Sequence, residues 1–485
     1  MKLSLADKSP KVDVLFVLLE KNGKLSSATK TALGSSSKEA EARLKVKDFE
    51  GSEGQSLAIY GDGKAFKRVY LVGTGEEKKH HPKAMEFLGG KLAGLAKSAK
   101  AKKIAVISES NHLNELAHGI VLGNYEFKHY KKKDKKDVEL KEVVMVTKVN
   151  KENKEIVAAA NIFDVASPLT RDLVNLPAGD LSTKDMVNHA KALGKKYGMK
   201  VKVMDEAQLK KAGCGAIVGV GQGAEETSKL IFIEYKHKTK SKVPNIAFIG
   251  KGVVFDTGGL NLKPTGYMET MKQDMAGAAT VLGSMKAIAE AKLNGYFLGV
   301  LCCAENSVSE KAQRPGDVVT AYNGKTIEVT NTDAEGRLCL ADGLAYTEKN
   351  YKPKCMLNIA TLTGAVSSAL GKHITGVMGN NEKLMSEVLS SSEAAHERVW
   401  ELPLSEDFVK DTKGDFTDLK NSTNGVGAGS SMGGAFLKNF VEDTPWVHFD
   451  IGGTAWADKP TSTTKYGATG VALRTFFELA RRHQA

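Results

Sequence analysis

Short apolar and β-branched runs alternate with segments of helical spacing along the first third of the chain. The strand-like runs lie at 12–19, 56–60, 68–73, 103–108 and 142–149, and helical spacing covers 83–99 and 111–127. A further helix is predicted at 151–166, and Pro168 and Pro177 then mark the end of regular structure. The pattern predicts a small α/β domain over residues 1–165.

The same rhythm continues over residues 166–485. Strands are predicted at 200–204, 216–220, 230–235, 245–249, 297–304, 326–330 and 355–360, and helices at 182–197, 206–212, 276–291, 338–348 and 470–482. Ser182 or Thr183 is the predicted cap of the first of these helices. The alternation predicts an α/β fold in which this larger C-terminal domain has a mixed, mainly parallel sheet covered by helices on both faces.

Composition narrows the class of protein. A chain of 485 residues with 41% hydrophobic and 26% charged residues is typical of a globular protein of about two to four domains. We find neither a signal-peptide pattern nor an apolar stretch near the ~20 residues of a membrane span. The five cysteines form no CxxC pair, which favours reduced thiols in a cytoplasmic protein.

Positive charge is concentrated at the N-terminal end. Residues 1–160 carry 31 Lys and Arg against 21 Asp and Glu, so +10 of the net +12 belongs to them. The densest run, residues 131–136, has the sequence KKKDKK. It is interpreted either as a solvated loop or as a surface for nucleic acid, although no base-stacking aromatic residues accompany it.

Three glycine-rich segments contain most of the candidate catalytic and metal-binding residues. They are 250–264, 271–279 and 331–337, and their charged residues include Lys251, Asp256, Lys263, Lys272, Asp274, Asp333, Glu335 and Arg337. Four unpaired carboxylates brought together in apolar surroundings would cost several kcal/mol each. The lysines and the arginine offset part of this cost, and a pair of divalent metals offsets it with less strain while activating a water. Asp333 and Glu335 share a face only in extended chain, so joint metal binding predicts strand or loop there.

Each segment also has a simpler interpretation. Thr332 and Glu335 fit a capping box at the start of a helix, and Asp274 fits the first turn of another. The glycines fit turns after strands. Residues 429–433 match the G-x-S-x-G pattern of serine hydrolases but follow a polar, glycine-rich stretch where that motif needs a strand. Residues 219–223 follow a predicted strand but lack the dinucleotide-binding spacing.

In combination the three segments closely resemble the leucyl aminopeptidase family, the cytosolic two-metal exopeptidases of peptidase family M17. The family signature Asn-Thr-Asp-Ala-Glu-Gly-Arg is present unbroken at 331–337, and the resemblance extends to 171–178 and 360–365. It covers essentially residues 160–485. Over the first third it rests only on position and α/β character.

The resemblance implies roles for individual residues. It implies that two divalent ions, Mn²⁺ or Zn²⁺ with Mg²⁺ or Co²⁺ as alternatives, are held by a set of five side chains: Lys251, Asp256, Asp274, Asp333 and Glu335. It further implies that Lys263 stabilises the oxyanion and that Arg337 holds a bicarbonate ion acting as general base. Met271, Thr361 and Gly364 match positions that line the pocket for the first side chain of the substrate.

The resemblance also implies an activity and an assembly. The expected reaction is hydrolysis of the N-terminal peptide bond of short peptides with a free α-amine, with leucine or another apolar residue preferred. The expected assembly is a cytoplasmic homohexamer. Some members of the family also bind DNA, which the basic N-terminal third permits here.

Overall fold

The computed structural model describes residues 1–61, 63–108, 111–132, 137–423 and 425–484. The chain divides into two compact units, Met1–Val165 with Asp458–Tyr466, and Ala166–Ala457 with Gly467–Ala485. The sequence pattern assigns 458–466 to the second domain, whereas the structure groups this segment with the first. None of the helices formed by the described residues combines the length and apolar character that a membrane span requires.

The described part of unit 1 forms one sheet with helices packed on it. Its strands are β1 (Lys2–Ala6), β2 (Val14–Glu20), β3 (Ser56–Tyr60), β4 (Arg68–Gly75), β5 (Lys103–Ile107) and β6 (Glu142–Val146). Its helices are α1 (Ser27–Leu33), α2 (Ser37–Lys45), α3 (Pro82–Ser98) and α4 (Leu113–Asn124), with 3₁₀ turns at Gly34–Ser36 and Glu77–Lys79. The strand order is β1-β6-β5-β2-β4-β3, and only β3 pairs antiparallel among these strands.

A long helix, α5 (Lys151–Asn175), leads into the elements of unit 2. Its helices are α6 (Thr183–Tyr197), α7 (Glu206–Ala212), α8 (Gly215–Gly221), α9 (Ala276–Glu290), α10 (Glu335–Tyr351), α11 (Ala365–Leu370), α12 (Glu382–Ala394), α13 (Glu406–Asp411), α14 (Gly429–Lys438) and α15 (Leu473–Arg482). Its strands are β7 (Lys200–Met204), β8 (Lys229–His237), β9 (Ile246–Asp256), β10 (Gly295–Asn306), β11 (Val318–Thr320), β12 (Thr326–Glu328), β13 (Met356–Ala360), β14 (Thr375–Gly379), β15 (Val399–Glu401), β16 (Leu419–Lys420), β17 (Trp446–Asp450), β18 (Trp456–Ala457) and β19 (Gly467–Ala468). A 3₁₀ helix, Met271–Met275, precedes α9.

The main sheet of unit 2 is buried at its centre. Its order is β15-β14-β17-β13-β9-β10-β8-β7, and the four central strands β17, β13, β9 and β10 run parallel. Strands β9 and β10 are buried along nearly their whole length, as expected when helices cover both faces of a parallel sheet. The predicted fold class is confirmed, and Ser182 caps α6 as one of the two predicted candidates.

The prediction that regular structure ends at Pro168 is wrong, because helix α5 continues through this residue. An interior proline costs a helix about 3 kcal/mol through a lost hydrogen bond and a steric clash. The turns beyond it are anchored by packing in unit 2, where the Thr170 hydroxyl donates to Ala279 O and the fully buried Arg171 donates from Nε to Ala468 O. Those tertiary contacts outweigh the local tendency of the helix to end at the proline.

Two predicted strands are also wrong in type or place. Residues 216–220 form part of helix α8, because a short buried apolar run has no period that separates strand from helix. The carboxylate of Asp342 accepts the amide of Ile217 in the first turn of that helix at 2.8 Å. The strand predicted at 326–330 is the shorter β12, which belongs to a small sheet with β11 and β16 and not to the main sheet.

Candidate metal centre

The carboxyl ends of the four central strands of unit 2 lie side by side and carry polar residues. Asp256 ends β9 and pairs in register with Asn306 at the end of β10, while Asp450 ends β17 opposite Ala360 at the end of β13. Ligand sites of open parallel sheets form outside these strand ends. The site is therefore built where the topology of the sheet favours one.

The five predicted metal-binding side chains come from three places around this edge. Lys251 and Asp256 lie on β9, Asp274 lies in the 3₁₀ helix, and Asp333 and Glu335 lie at the start of α10. All except Asp333 are 2–3% exposed. Carboxylate oxygens of Asp256, Asp333 and Glu335 all lie within 4.8 Å of one another. The fold thus brings together residues that are up to 84 positions apart in the sequence.

Two lysines bridge the carboxylates in pairs. Lys251 Nζ lies 2.8 Å from Asp274 Oδ2 and 2.7 Å from Glu335 Oε1, and it donates to Thr361 O at 3.0 Å. Lys263 Nζ lies 2.7 Å from Asp256 Oδ2 and 2.6 Å from Asp333 Oδ1. Without metal, the two ammonium groups therefore offset only part of the negative charge of the four carboxylates.

The pKa values of these groups reflect burial and mutual charge. Burial by itself lowers the pKa of Lys251, but the carboxylates of Asp274, Glu335 and Asp256 raise it above its usual value. The pKa of Lys263 is raised in the same way, chiefly by Asp256. Burial and neighbouring carboxylates raise the pKa values of Asp274, Asp333 and Glu335 despite the lysines. More positive charge would stabilise this cluster in its ionised form.

The donor set fits divalent metal ions. Glu335 Oε2 is buried and has no hydrogen-bond partner among the described residues. The cluster offers carboxylate oxygens and one amine, with neither a histidine nor a cysteine among the converging side chains. Oxygen-rich sites of this kind suit Mn²⁺ and Mg²⁺ as well as Zn²⁺. Lys251 can join them only as the neutral amine, so metal binding must displace its proton.

The turn before α10 does not form the capping box that Thr332 and Glu335 could have made. Ala334 is the N-cap and makes no side-chain cap bond. The Thr332 hydroxyl instead donates to Gly258 O at 2.7 Å and accepts the amide of Asn261 at 2.9 Å, which ties this turn to the loop after β9. Gly336 lets the start of α10 approach the Lys251 side chain closely, because a Cβ at this position would lie 2.6 Å from Lys251 Cε. Asp333 thus lies in a turn and Glu335 in the first helical turn, which lets both face Asp256.

Arg337 is anchored on the loop that follows β16. It is half-buried, and its Nη1 donates to Asn421 O at 2.6 Å. Its Nε is buried without a hydrogen-bond partner among the described residues. The Asn421 side chain accepts the amide of Thr330 at 2.9 Å and donates to Asn331 O at 2.7 Å, so it fixes the turn that carries Asp333.

Two of the three predicted pocket residues, Met271 and Thr361, lie beside the cluster. Met271 begins the 3₁₀ helix that carries Asp274, and the Thr361 hydroxyl donates to Asp274 Oδ1 at 2.7 Å. Gly364 is exposed, and a Cβ built on it would meet no atom within 4 Å. The space beside Gly364 is therefore open.

Asp450, Asn306 and Asn421 support the site but are not among the residues predicted from the sequence. Asp450 accepts the amides of Leu362 and Gly452 and the hydroxyl of Thr363, the last at 2.6 Å. It thereby fixes the turn that follows β13. The available signal was a polar residue directly after an apolar run, as in the sequence WVHFD at 446–450.

The competing motifs are not supported. Residues 429–433 lie at the start of helix α14 and follow a loop, whereas a serine-hydrolase elbow needs a preceding strand. Residues 219–221 lie within helix α8, so no strand precedes the glycines there. Of the basic run at 131–136, Lys131 and Lys132 are exposed, and 133–136 lie outside the described residues.

Comparison with known proteins identifies the family. The model of the cytosol aminopeptidase family, catalytic domain, matches residues 168–477, and that of its N-terminal domain matches residues 14–134. Two curated relatives are each named probable cytosol aminopeptidase. The protein from Bradyrhizobium sp. is 38% identical over 95% of this chain and 94% of its own length. The protein from Protochlamydia amoebophila is 37% identical over 90% and 89%.

Solved structures agree with these matches. A mutant of tomato leucine aminopeptidase superposes with a TM-score of 0.88 and 31% identity, covering 99% of this chain and 96% of that one. The bottromycin maturation enzyme BotP, solved in complex with Mn, has a TM-score of 0.85 and 28% identity, covering 97% and 99%.

Proposed function

The chain belongs to the cytosol aminopeptidase family, and from this premise we propose that it removes leucine and other apolar residues from the N-termini of short peptides. Family membership itself makes the chain a metal-dependent aminopeptidase that hydrolyses N-terminal peptide bonds. The observation that carries the assignment to particular residues is the convergence of Asp256, Asp333 and Glu335, with carboxylate oxygens within 4.8 Å of one another beside Lys251 and Asp274.

Five side chains would hold two divalent ions: Lys251, Asp256, Asp274, Asp333 and Glu335. Divalent ions supply Lewis acidity, which polarises the scissile carbonyl, binds a free α-amine and makes water nucleophilic near neutral pH. Of the five, Asp333 has the most exposed side chain, at 35%, so it borders the side from which substrate enters. The choice among Mn²⁺, Zn²⁺, Mg²⁺ and Co²⁺ is open in this donor set.

Lys263 would stabilise the negative charge that develops on the carbonyl oxygen. Its ammonium group is held between Asp256 and Asp333, and those carboxylates raise its pKa, so it stays protonated at neutral pH. A fixed cation aimed at a developing oxyanion lowers the barrier because no reorganisation is needed during the reaction.

Arg337 would hold a bicarbonate ion that accepts the proton of the attacking water. Its Nε has no hydrogen-bond partner among the described residues, while its Nη1 is anchored on Asn421 O. An anchored guanidinium with a free edge suits a planar oxyanion. The carboxylates of the cluster then remain available for the metals.

The turn after β13 and the 3₁₀ helix would form the pocket for the first substrate side chain. Met271 supplies an apolar surface, Thr361 is tied to Asp274, and Gly364 leaves the space beside it open. An apolar pocket of this kind favours leucine over charged residues.

We extend the proposal to assembly and compartment. The resemblance implies a homohexamer, and the strongly exposed Trp400 and Phe416 in unit 2 offer apolar surface for subunit contacts. A hexamer would have about 312 kDa, six times 52.0 kDa. Size-exclusion chromatography with light scattering tests this, and a monomer mass would contradict it. All five cysteines are buried free thiols, which agrees with a cytoplasmic location.

A secondary role in DNA binding is supported by charge alone. Residues 1–160 carry a net +10, counted as 31 basic against 21 acidic residues. The test is a salt-dependent gel shift of duplex DNA by the wild type and by a variant with the lysines of 131–136 neutralised. Failure to bind at low salt would remove this role.

The activity itself is tested with leucine p-nitroanilide. Protein stripped of metal should be inactive and should recover with Mn²⁺ or Zn²⁺, and Asp333→Ala should abolish the recovery. The N-acetylated substrate should not be cleaved. Turnover that persists without metal would contradict the proposal.

A further inference from the structure

Unit 1 contains a cavity at the carboxyl ends of two parallel strands. It has a volume of about 160 Å³ and is lined by the end of β4, the residue after β2, the loop before β3 and the first turn of α3. Pockets for drug-sized ligands measure about 300–1,000 Å³, so this cavity suits a smaller molecule. It lies outside the carboxyl ends of the strands, the edge of an open parallel sheet at which ligands bind.

Thr74 points to a polar occupant. It is the extra residue of a β-bulge, because Leu19 pairs with Gly73 and Glu20 pairs with Gly75. Bulges re-aim side chains and are frequent beside functional sites. Thr74 lines the cavity and is 3% exposed, and its Oγ1 has no hydrogen-bond partner among the described residues. A buried hydroxyl left without a partner costs about 1–3 kcal/mol, which a bound polar group would recover.

The lining offers both signs of charge. Glu76 accepts two ammonium groups, from Lys21 at 3.2 Å and from Lys79 at 2.8 Å, which leaves one positive charge in excess. Glu53 also lines the cavity and has no ion-pair partner in the described part of the chain. The N-terminal turn of α3, at the positive end of a 17-residue helix, adds a preference for a carboxylate.

We propose that this cavity binds a free α-amino acid. The carboxylate of the ligand meets the lysine pair and the start of α3, its ammonium group meets Glu53, and the Thr74 hydroxyl completes the polar contacts. Met85, which is 1% exposed, supplies an apolar wall for an aliphatic side chain. An inorganic anion fits less well, because Glu53 and Glu76 would repel it.

The ligand class coincides with the products of the proposed hydrolysis, but the site stands on the geometry of unit 1 and its test needs no turnover. Equilibrium dialysis of the full-length protein against radiolabelled L-leucine gives the number of leucines bound per chain. We expect Thr74→Val and Glu53→Gln each to weaken one class of leucine sites at least tenfold. Glu77→Gln, a matched control outside the cavity lining, should leave that class unchanged.

The variants and probes separate the alternatives. Glu53 is exposed, so its substitution does not threaten folding, and cooperative thermal unfolding checks Thr74→Val. Isopentylamine and 4-methylpentanoate, which carry one charge each, should compete for the site at least tenfold less well than leucine. Leucine binding that is identical in wild type, Thr74→Val and Glu53→Gln would overturn the proposal. Displacement by inorganic phosphate with no effect of Glu53→Gln would overturn it in favour of an anion site.

Discussion

Asn306 donates from Nδ2 to Asp256 Oδ1 at 2.8 Å, so the last residue of β10 orients a carboxylate at the end of β9. The same amide donates to Thr332 O at 3.0 Å, in the turn that carries Asp333. One side chain therefore links two of the three segments that build the metal centre.

Loss of this link should weaken the site without removing a metal ligand. Substitutions behind metal ligands typically cost 10–100-fold in metal affinity or activity. We expect Asn306→Ala to lose about that much in Mn²⁺ affinity, measured by metal titration of the stripped protein with activity as the readout. Asn188→Ala, on the exposed face of α6, is the control. Unchanged affinity in Asn306→Ala would show that Asp256 is oriented by other contacts.

Replacement of Lys263 should separate binding from chemistry. Removing one donor that stabilises an oxyanion lowers kcat about 10²–10³-fold. We expect Lys263→Met to show such a loss with leucine p-nitroanilide while KM changes little. Lys311→Met, an exposed lysine, should behave as wild type. Wild-type kcat in Lys263→Met would assign oxyanion stabilisation elsewhere.

Metal loading should release the proton of Lys251. The carboxylates raise the pKa of Lys251 in the metal-free site, whereas coordination needs the neutral amine. Calorimetric titration in buffers of different ionisation enthalpy counts the protons released. We expect Lys251→Met to release about one proton fewer per chain than wild type. Equal release by the two proteins would exclude Lys251 as a ligand.

The role of Arg337 predicts a response to bicarbonate. A positioned general base contributes about 10²–10⁴-fold to the rate. Wild type freed of dissolved carbonate should slow and should recover on adding bicarbonate. Arg337→Met should be slow under both conditions. Full activity of the wild type in carbonate-free buffer would contradict the assignment.

Asp342 should make stability depend on pH. Burial raises the pKa of Asp342 from 3.8 to about 7, against the backbone amides of Ile217 and Tyr322 that lower it. As pH rises from about 4 to 7, the unfolded chain loses this proton before the folded protein does, so the free energy of unfolding falls. The slope reaches about 1.4 kcal/mol per pH unit.

Asp342→Asn should remove this part of the slope in urea unfolding measured across that pH window. The control is Asp443→Asn, at an exposed position. An identical slope in wild type and Asp342→Asn would mean that Asp342 is ionised in the folded protein throughout the window.

The sequence was most informative where function constrains consecutive residues. The segment 331–337 identified the family, and the structure brings its Asp333 and Glu335 beside Asp256. Asn306, Asn421 and Asp450 are single residues whose roles depend on which strands lie next to each other, and that neighbourhood is set by the sheet order. No local pattern encodes it.

Local sequence preference also predicted the wrong secondary structure at two buried segments. Helix α5 continues through Pro168 because its last turns are anchored by Thr170 and Arg171. Helix α8 forms from an apolar run that fits a strand equally well, and the carboxylate of Asp342 accepts the amide of Ile217 in its first turn.

The segment Asp458–Tyr466 makes unit 1 discontinuous along the chain. Ser462 donates to Phe87 O at 2.7 Å, and a Cβ on Gly90 or Gly123 would lie 2.5 Å or 2.7 Å from Ser462 O. Helices α3 and α4 thus carry a groove shaped for a strip of backbone that lies between 339 (Gly123 to Ser462) and 375 (Phe87 to Ser462) residues later in the chain. A gene fragment ending at residue 165 would produce this unit with the groove empty. Transplanting the unit between proteins therefore requires carrying both pieces of sequence together.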